Sequence, residues 1–286
     1  MVELVCPVRG CGLALEAGAR EARCPRGHLF DRARSGYLNL LQPQDRRSPR
    51  AGDAREVVQA RARALERGLG EPLLEALVAR AAASDLPAGG AALDVGCGDG
   101  WFIDRIGPRL GLEAWGVDLS REAVEAAARH HPDVRFLVAN ADRRLPFADG
   151  AFALLISITG PKNGPEFRRL LGARGRLLLA VPGPDDLAEL REALFGRVLC
   201  RERAGSAVAR LAADFVLEDR RPVRHQVVLE RAALDDLLTA AYQAARRRVR
   251  PRRAALGRLA VTSSYELLCF RCLAPFAARD AGPEPR

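Results

Sequence analysis

The spacing of apolar positions divides the chain into three parts. Over residues 91–181, short apolar runs alternate with stretches whose apolar residues recur every three or four positions. The runs AALDV (91–95), EAWGV (113–117), VRFLVA (134–139), FALLISI (152–158) and RLLLAV (176–181) predict strands. The intervening stretches predict helices near 101–110, 121–130, 165–172 and 185–195. Such alternation argues for an α/β fold, a parallel sheet covered on both faces. Upstream, a helix is expected from Asp53, whose partner three residues on, Glu56, completes a capping box, to Gly68. Pro72 suits the first turn of another, with Leu73, Leu74, Leu77 and Val78 as its apolar stripe. Downstream, RHQVVLE (224–230) and SYELLCFRCL (264–273) read as strands flanking a helix at 231–245. That ending places one antiparallel strand at the edge of a mostly parallel sheet.

Residues 1–40 hold too few apolar residues for a core of their own, and LQPQDRRSPRAG (41–52) reads as an exposed basic linker. The expected organisation is therefore a small module over 1–40, a basic linker and helix over 41–70, and the α/β domain over 71–286. A length of 286 residues fits about two units of ~150 residues. A composition 48% hydrophobic and 28% charged excludes wholesale disorder. No run approaches the ~20 apolar residues of a membrane span, and MVELVCPVRGCG lacks the build of a signal peptide. A soluble cytoplasmic protein is expected.

A net charge of +9 favours a polyanionic partner such as nucleic acid; drift in an arginine-rich genome is the alternative. Against that background Lys162 is the single lysine, and it adjoins Asn163, one of three asparagines. Of the seven cysteines, three crowd the N-terminus beside a histidine. Cys6-x4-Cys11 and Cys24-x3-His28, on two Gly- or Pro-rich turns, offer three thiolates and an imidazole to a tetrahedral zinc. A closed set of four protein ligands is structural, and it explains how a core-poor module folds. Cys269 and Cys272 sit in an apolar strand-like run, where a packing role is expected.

The first strand runs into LDVGCGDGW, with Asp94, Gly96, Gly98 and Gly100 at alternate positions and Asp99 inside the turn. Small residues permit a tight strand-to-helix turn and close approach of a ligand. Acidic-x-G-x-G-x-G differs from the dinucleotide fingerprint, and its two carboxylates suit a cationic, phosphate-free ligand such as S-adenosylmethionine. The second strand ends at Asp118, placed to accept from both ribose hydroxyls, and Asn140, Ala141 and Asp142 follow the third strand, placed for the adenine edge.

These segments, together with CPRGHLFDRARSGYLNLL and GDAREVVQARARALERG, resemble the RlmA family of 23S rRNA (guanine-N1)-methyltransferases, over roughly Cys6 to Leu190. The resemblance implies a Rossmann-like class I methyltransferase sheet bearing an N-terminal zinc-binding module. It also implies methyl transfer to a guanine in a hairpin of 23S rRNA domain II, near the peptide exit tunnel; a homodimer is compatible with it. Three departures stand out. The first knuckle is Cys6-x4-Cys11 instead of C-x2-C, Leu69-Gly70 replace a polar or aromatic dipeptide, and Gly160-Pro161-Lys162-Asn163 replace an Ala-Pro turn.

In this fold the loop after the fourth strand lines the acceptor pocket. Lys162 is therefore expected to stabilise charge at guanine O6, and Asn163 to hold the base edge. Glu166 either serves as a base or begins the next helix. For RNA contact the expected residues are Arg32, Arg34, Tyr37, Arg46, Arg47 and Arg50, with Tyr37 either stacking on a base or packing the module. A second basic run, RRRVRPRR (246–253), is either a binding face or a solvated one. The rival readings are a small-molecule methyltransferase whose zinc module caps the pocket, and a noncatalytic binding protein.

Overall fold

The structure, a computed structural model, describes residues 2–42, 54–196, 201–241 and 256–273. The N-terminal module is a three-stranded antiparallel sheet of β1 (Glu16–Ala17), β2 (Glu21–Arg23) and β3 (Leu29–Asp31). Its turns carry the metal-ligand residues. Next comes β4 (Leu38–Asn39), then α1 (Arg55–Ala64), a π-turn over Leu65–Leu69 and α2 (Glu71–Ala82). Gly68 ends the first helix as expected, with a φ of 87° that a side chain would strain. Asp53 lies outside the described residues.

The α/β core follows as β5 (Ala91–Val95), α3 (Trp101–Leu110), β6 (Glu113–Asp118), α4 (Arg121–His130), β7 (Arg135–Val138) and β8 (Phe152–Ile158). After it come α5 (Gly164–Leu170), β9 (Leu171–Pro182), α6 (Ala188–Phe195), α7 (Ala204–Leu211), β10 (Phe215–Glu230), α8 (Arg231–Ala241) and β11 (Arg258–Cys272). The main sheet has eight strands in the order β10-β11-β9-β8-β5-β6-β7-β4. β11 runs antiparallel to both neighbours, and so it is the reversed strand among the described ones. It lies one place in from the edge, because β10 begins at Phe215, nine residues before the expected run at Arg224, and closes the sheet. Polar DRRP (219–222) hides that extension from a hydrophobicity pattern, and an edge strand tolerates Pro222.

Successive side chains on each strand serve opposite faces. Leu93, Val95, Val117, Leu155, Leu177 and Leu179 form one core together with Leu4, Leu15 and Ala22 of the module. Ala92, Leu154, Ile156, Leu178 and Ala180 form the other, against α2, α3 and α4. Cys269 belongs to one face and Cys272 packs against the other, as their spacing on a strand requires. The module is also hydrogen-bonded in place: Val5 N donates to Pro146 O at 3.0 Å, and Ala148 N to Glu3 O at 3.1 Å. Among the described residues no helix is long and apolar enough to cross a membrane. The parallel pairing of β4–β9 brings the loops after β5, β6, β7 and β8 to one rim, where a ligand site of this architecture lies.

Candidate active site and metal centre

Cys6, Cys11, Cys24 and His28 converge, their ligand atoms all within 4.8 Å of one another. Bond lengths of about 2.3 Å to sulfur and 2.0 Å to nitrogen set tetrahedral edges of about 3.8 Å for S···S and 3.5 Å for S···N. Cys11 and Cys24 Sγ are 3.8 Å apart, and His28 Nδ1 stands 3.4 Å from Cys6 Sγ and 3.3 Å from Cys24 Sγ. The donor set therefore fits zinc. The longer first knuckle closes through Gly10 and Gly12, both at positive φ, with Cys11 N donating to Val8 O at 2.9 Å. Burial opposes ionisation of Cys24, but backbone donors at His28 and Arg26 outweigh it and lower the thiol to about 7.

At the rim, the turn after β5 holds Gly96, Gly98 and Gly100, all at positive φ. Gly100 has no room for a side chain: a Cβ would stand 2.6 Å from the Phe136 ring. Asp118, at the end of β6, braces the turn from below. Its Oδ2 accepts from Gly98 N at 2.9 Å and its Oδ1 from Ser120 N at 2.8 Å. Asn140 Oδ1 accepts from Asp142 N at 3.0 Å, folding the loop after β7 back on itself, with Ala141 buried beneath. Asn163 Nδ2 donates to Ala141 O at 2.9 Å, joining the loop after β8 to this one.

Asp94 is 2% exposed, and among the described residues its Oδ1 meets no hydrogen-bond donor. Burial, with Asp118 and Asp99 close by, pushes its carboxyl up to about 8. Asp99 is raised too, by burial, partly offset by the Trp101 amide and by Arg61 and His131. A carboxylate cluster with an orphaned buried oxygen calls for a cation. The ammonium and sulfonium of S-adenosylmethionine match it, and a pyrophosphate does not.

A pH dependence follows from Asp94. The folded, ligand-free chain keeps a proton that the unfolded chain loses near 4, so this group's contribution to stability falls as pH rises from about 4 to 8. A bound cation favours the ionised form. Cofactor binding at pH 7 is thus expected to release a proton, with affinity rising from pH 6 toward 8. Calorimetry in buffers of different ionisation enthalpy reads this directly, and zero proton release at pH 7 would contradict it.

The loop after β8 passes beside the glycine turn: a Cβ on Gly96 would sit 3.0 Å from Pro161 Cδ. Gly160 is confined between Ser157 Oγ and Val95 O, each 2.8 Å from where its Cβ would stand. Lys162 is half-buried, and burial, with Arg210 and Arg203 nearby, lowers its pKa. Glu166 is a structural group. Buried at the start of α5, it accepts from Leu145 N at 2.7 Å and pairs with Arg169. Trp101 fills the space beside Gly70, where a Cβ would lie 3.0 Å from its ring.

Of the residues expected to meet RNA, Arg32 is half-buried and donates to Gly36 O at 2.7 Å and Gly18 O at 3.2 Å. Arg34 is exposed. Tyr37 packs in the core at 2% exposure, its hydroxyl accepting from Arg121 Nε at 3.2 Å. Arg46, Arg47, Arg50 and the run 246–253 lie outside the described residues.

One site residue was not singled out in the sequence. Arg61 on α1 places Nη1 3.6 Å from the position a Gly98 Cβ would occupy. Arg63, two positions on, turns the other way and binds Asp236 of α8 through Nε and Nη2 at 3.0 and 2.6 Å. The available signal was the GD…QAR segment, which ends on Arg61.

A glycine turn braced by the acid of the next strand, on a parallel sheet with one reversed strand, defines a class I S-adenosylmethionine-dependent methyltransferase. Residues 92–178 match the family described as "Methyltransferase domain", and residues 4–49 match "RlmA, N-terminal". The chain belongs to the RlmA family. It is 37% identical over 236 residues to the 23S rRNA (guanine(748)-N(1))-methyltransferase of Streptomyces fradiae, covering 81% of each chain. With a putative 23S rRNA (guanine-N(1)-)-methyltransferase of Bacillus subtilis it shares 32% identity, covering 82% of this chain and 83% of that one. Among solved structures, the YcgJ protein of the same species superposes with a TM-score of 0.50 at 17% identity, over 71% of this chain and 98% of its own. That likeness concerns the fold alone.

Proposed function

We propose that the protein methylates N1 of a guanine in 23S rRNA, within a hairpin of domain II near the exit tunnel. The observation that carries this reading is the union in one chain of the Cys6–Cys11–Cys24–His28 cluster with the Asp94–Asp118 pocket. Similarity over 81% and 82% of the chain to proteins named for guanine-N1 methylation of 23S rRNA supports the reaction.

When bound, S-adenosylmethionine supplies the methyl group. Asp118 would accept from the ribose hydroxyls, the loop Asn140–Asp142 would take the adenine, and Gly96, Gly98 and Gly100 would admit the methionine portion. Asp94 and Asp99 would favour its cationic groups, and Arg61, close to Gly98, would pair with its carboxylate. Lys162, desolvated and flanked by arginines, is suited to the negative charge that develops at guanine O6 as N1 loses its proton. Asn163 is held by its Nδ2, which keeps its carbonyl oxygen as an acceptor for the guanine amino group. With Glu166 engaged elsewhere, a water takes the proton, and alignment of the base supplies most of the rate. The zinc module, with Arg32 and Arg34 and the linker arginines Arg46, Arg47 and Arg50, would grip the RNA backbone.

The test is transfer of tritium from labelled cofactor to purified 23S rRNA, followed by nucleoside mapping. Label at guanine N1 is expected, and it should vanish when the target guanine is changed to adenine. Equal transfer to both RNAs, or transfer only to small molecules, would overturn the reading.

A further inference from the structure

A second cavity, of about 440 Å³, opens beside the methyltransferase pocket. It is lined by β3 (Leu29, Phe30), the GYLNLL segment (Tyr37, Asn39) and the first turn of α4 (Arg121), with Arg32 and Asp31 at its wall. Pairing across the sheet fixes its position. Asp118 of β6 is opposite Val138 of β7, which is opposite Asn39 of β4. Because β4 runs parallel to β7, its C-terminal end reaches the same rim as the ribose acid, about 10 Å away at two strand spacings. The loop of Lys162 and Asn163 follows β8, four spacings or about 20 Å distant.

The chemistry of the walls is divided. Arg32 and Arg121 supply two guanidinium groups, and among the described residues neither forms an ion pair; they are held by Gly18 O, Gly36 O and the Tyr37 hydroxyl. Arg32 stands close enough to Arg135 that repulsion, added to burial, lowers its pKa. Phe30 and Leu29, the latter 47% exposed, add apolar surface to the same lining. Two guanidinium groups and an aromatic ring in one lining match a nucleotide, phosphate to the arginines and base to Phe30. Among the described residues of the lining Asp31 is the acidic one, and it opposes the phosphate.

We propose that this cavity takes a nucleotide of the RNA substrate, away from the target guanine, and so sets which part of the RNA reaches the loop after β8. This rests on the RNA reading above. Arg32 also ties the module together, so Arg121→Gln, on an exposed position of α4, is the first variant. Filter binding of a 23S rRNA fragment is expected to weaken on the order of tenfold. The slope of log affinity against log salt should flatten by about 1, the loss of a single phosphate contact, whereas collapse of the binding surface would flatten it by more. The KM for RNA should rise, while cofactor affinity by calorimetry stays within twofold. Asp31→Asn should act in the opposite sense, tightening RNA binding.

Wild-type transfer to rRNA with unchanged affinity and salt slope in both variants would overturn the site and leave the methyltransferase reading standing. Absence of rRNA binding by the wild type would overturn both.

Discussion

Cys24→Ser is expected to strip the metal and unfold the N-terminal module while the methyltransferase domain keeps its fold. The three-stranded sheet of the module is eight residues of strand in all, with few buried side chains of its own. Zinc in comparable small modules contributes about 10 kcal/mol or more of folding free energy, far beyond what such a core supplies. Elemental analysis should find one zinc per wild-type chain and none in the variant. Proteolysis should then cleave within the first forty residues. Cofactor affinity is expected to change by less than about threefold, because Asp94, Asp118 and the loops around them hang on β5–β8. Transfer to rRNA should fall on the order of a hundredfold, since the groups of the module proposed to grip phosphate are lost. A metal-free protein with a protected module would show that the cluster is not a zinc site.

Asp118→Ala is expected to weaken cofactor binding by on the order of tenfold to a hundredfold, the value of a lost hydrogen bond to a charged acceptor, about 1.5–3 kcal/mol. The structure adds a second reason. Both carboxylate oxygens already hold backbone amides, Gly98 N and Ser120 N, so the substitution also releases the glycine turn and the N-cap of α4. Asp118→Asn keeps one acceptor oxygen and should lie between wild type and alanine. RNA affinity should be unaffected. Calorimetric titration with S-adenosylmethionine checks the series, and equal affinity in all three proteins would mean that ribose is bound elsewhere.

Where the sequence was legible, glycines and acids punctuated it. β5, α3, α4 and β8 appear over the expected residues, because each lies between a turn glycine or Asp and an unbroken apolar period. The metal ligands and the Asp94–Gly100 turn were legible for the same reason: their chemistry is local. Less legible was whatever depends on distant chain. β9 begins at Leu171, five residues before its apolar run, because LGARG pairs with β8 through an irregular register at Phe152/Leu154. α7 was not anticipated, although Ala204, Ala207 and Leu211 mark its buried face. Arg61 could be seen in a family segment, but its place above Gly98 depends on how α1 packs. Tyr37 illustrates the limit most directly: only the packing shows its ring buried and its hydroxyl committed to Arg121.

The two-residue strand β4 also bears on how modules can be exchanged between relatives. Leu38 and Asn39 follow the metal module in the chain but pair with β7, covering what would otherwise be an open edge of the main sheet. A chimera joined after residue 40 would replace that cover with a foreign segment fitted to another edge. Exposed edges recruit other chains, so such a hybrid should aggregate. A junction at Gly36, where the chain turns at positive φ before Tyr37, leaves the native cover on β7, and the metal-bearing part can then vary as long as it keeps Leu4, Leu15 and Ala22 against the shared core. Recombination in this family, natural or engineered, would therefore favour crossovers upstream of GYLNLL, and that segment would be inherited with the catalytic sheet.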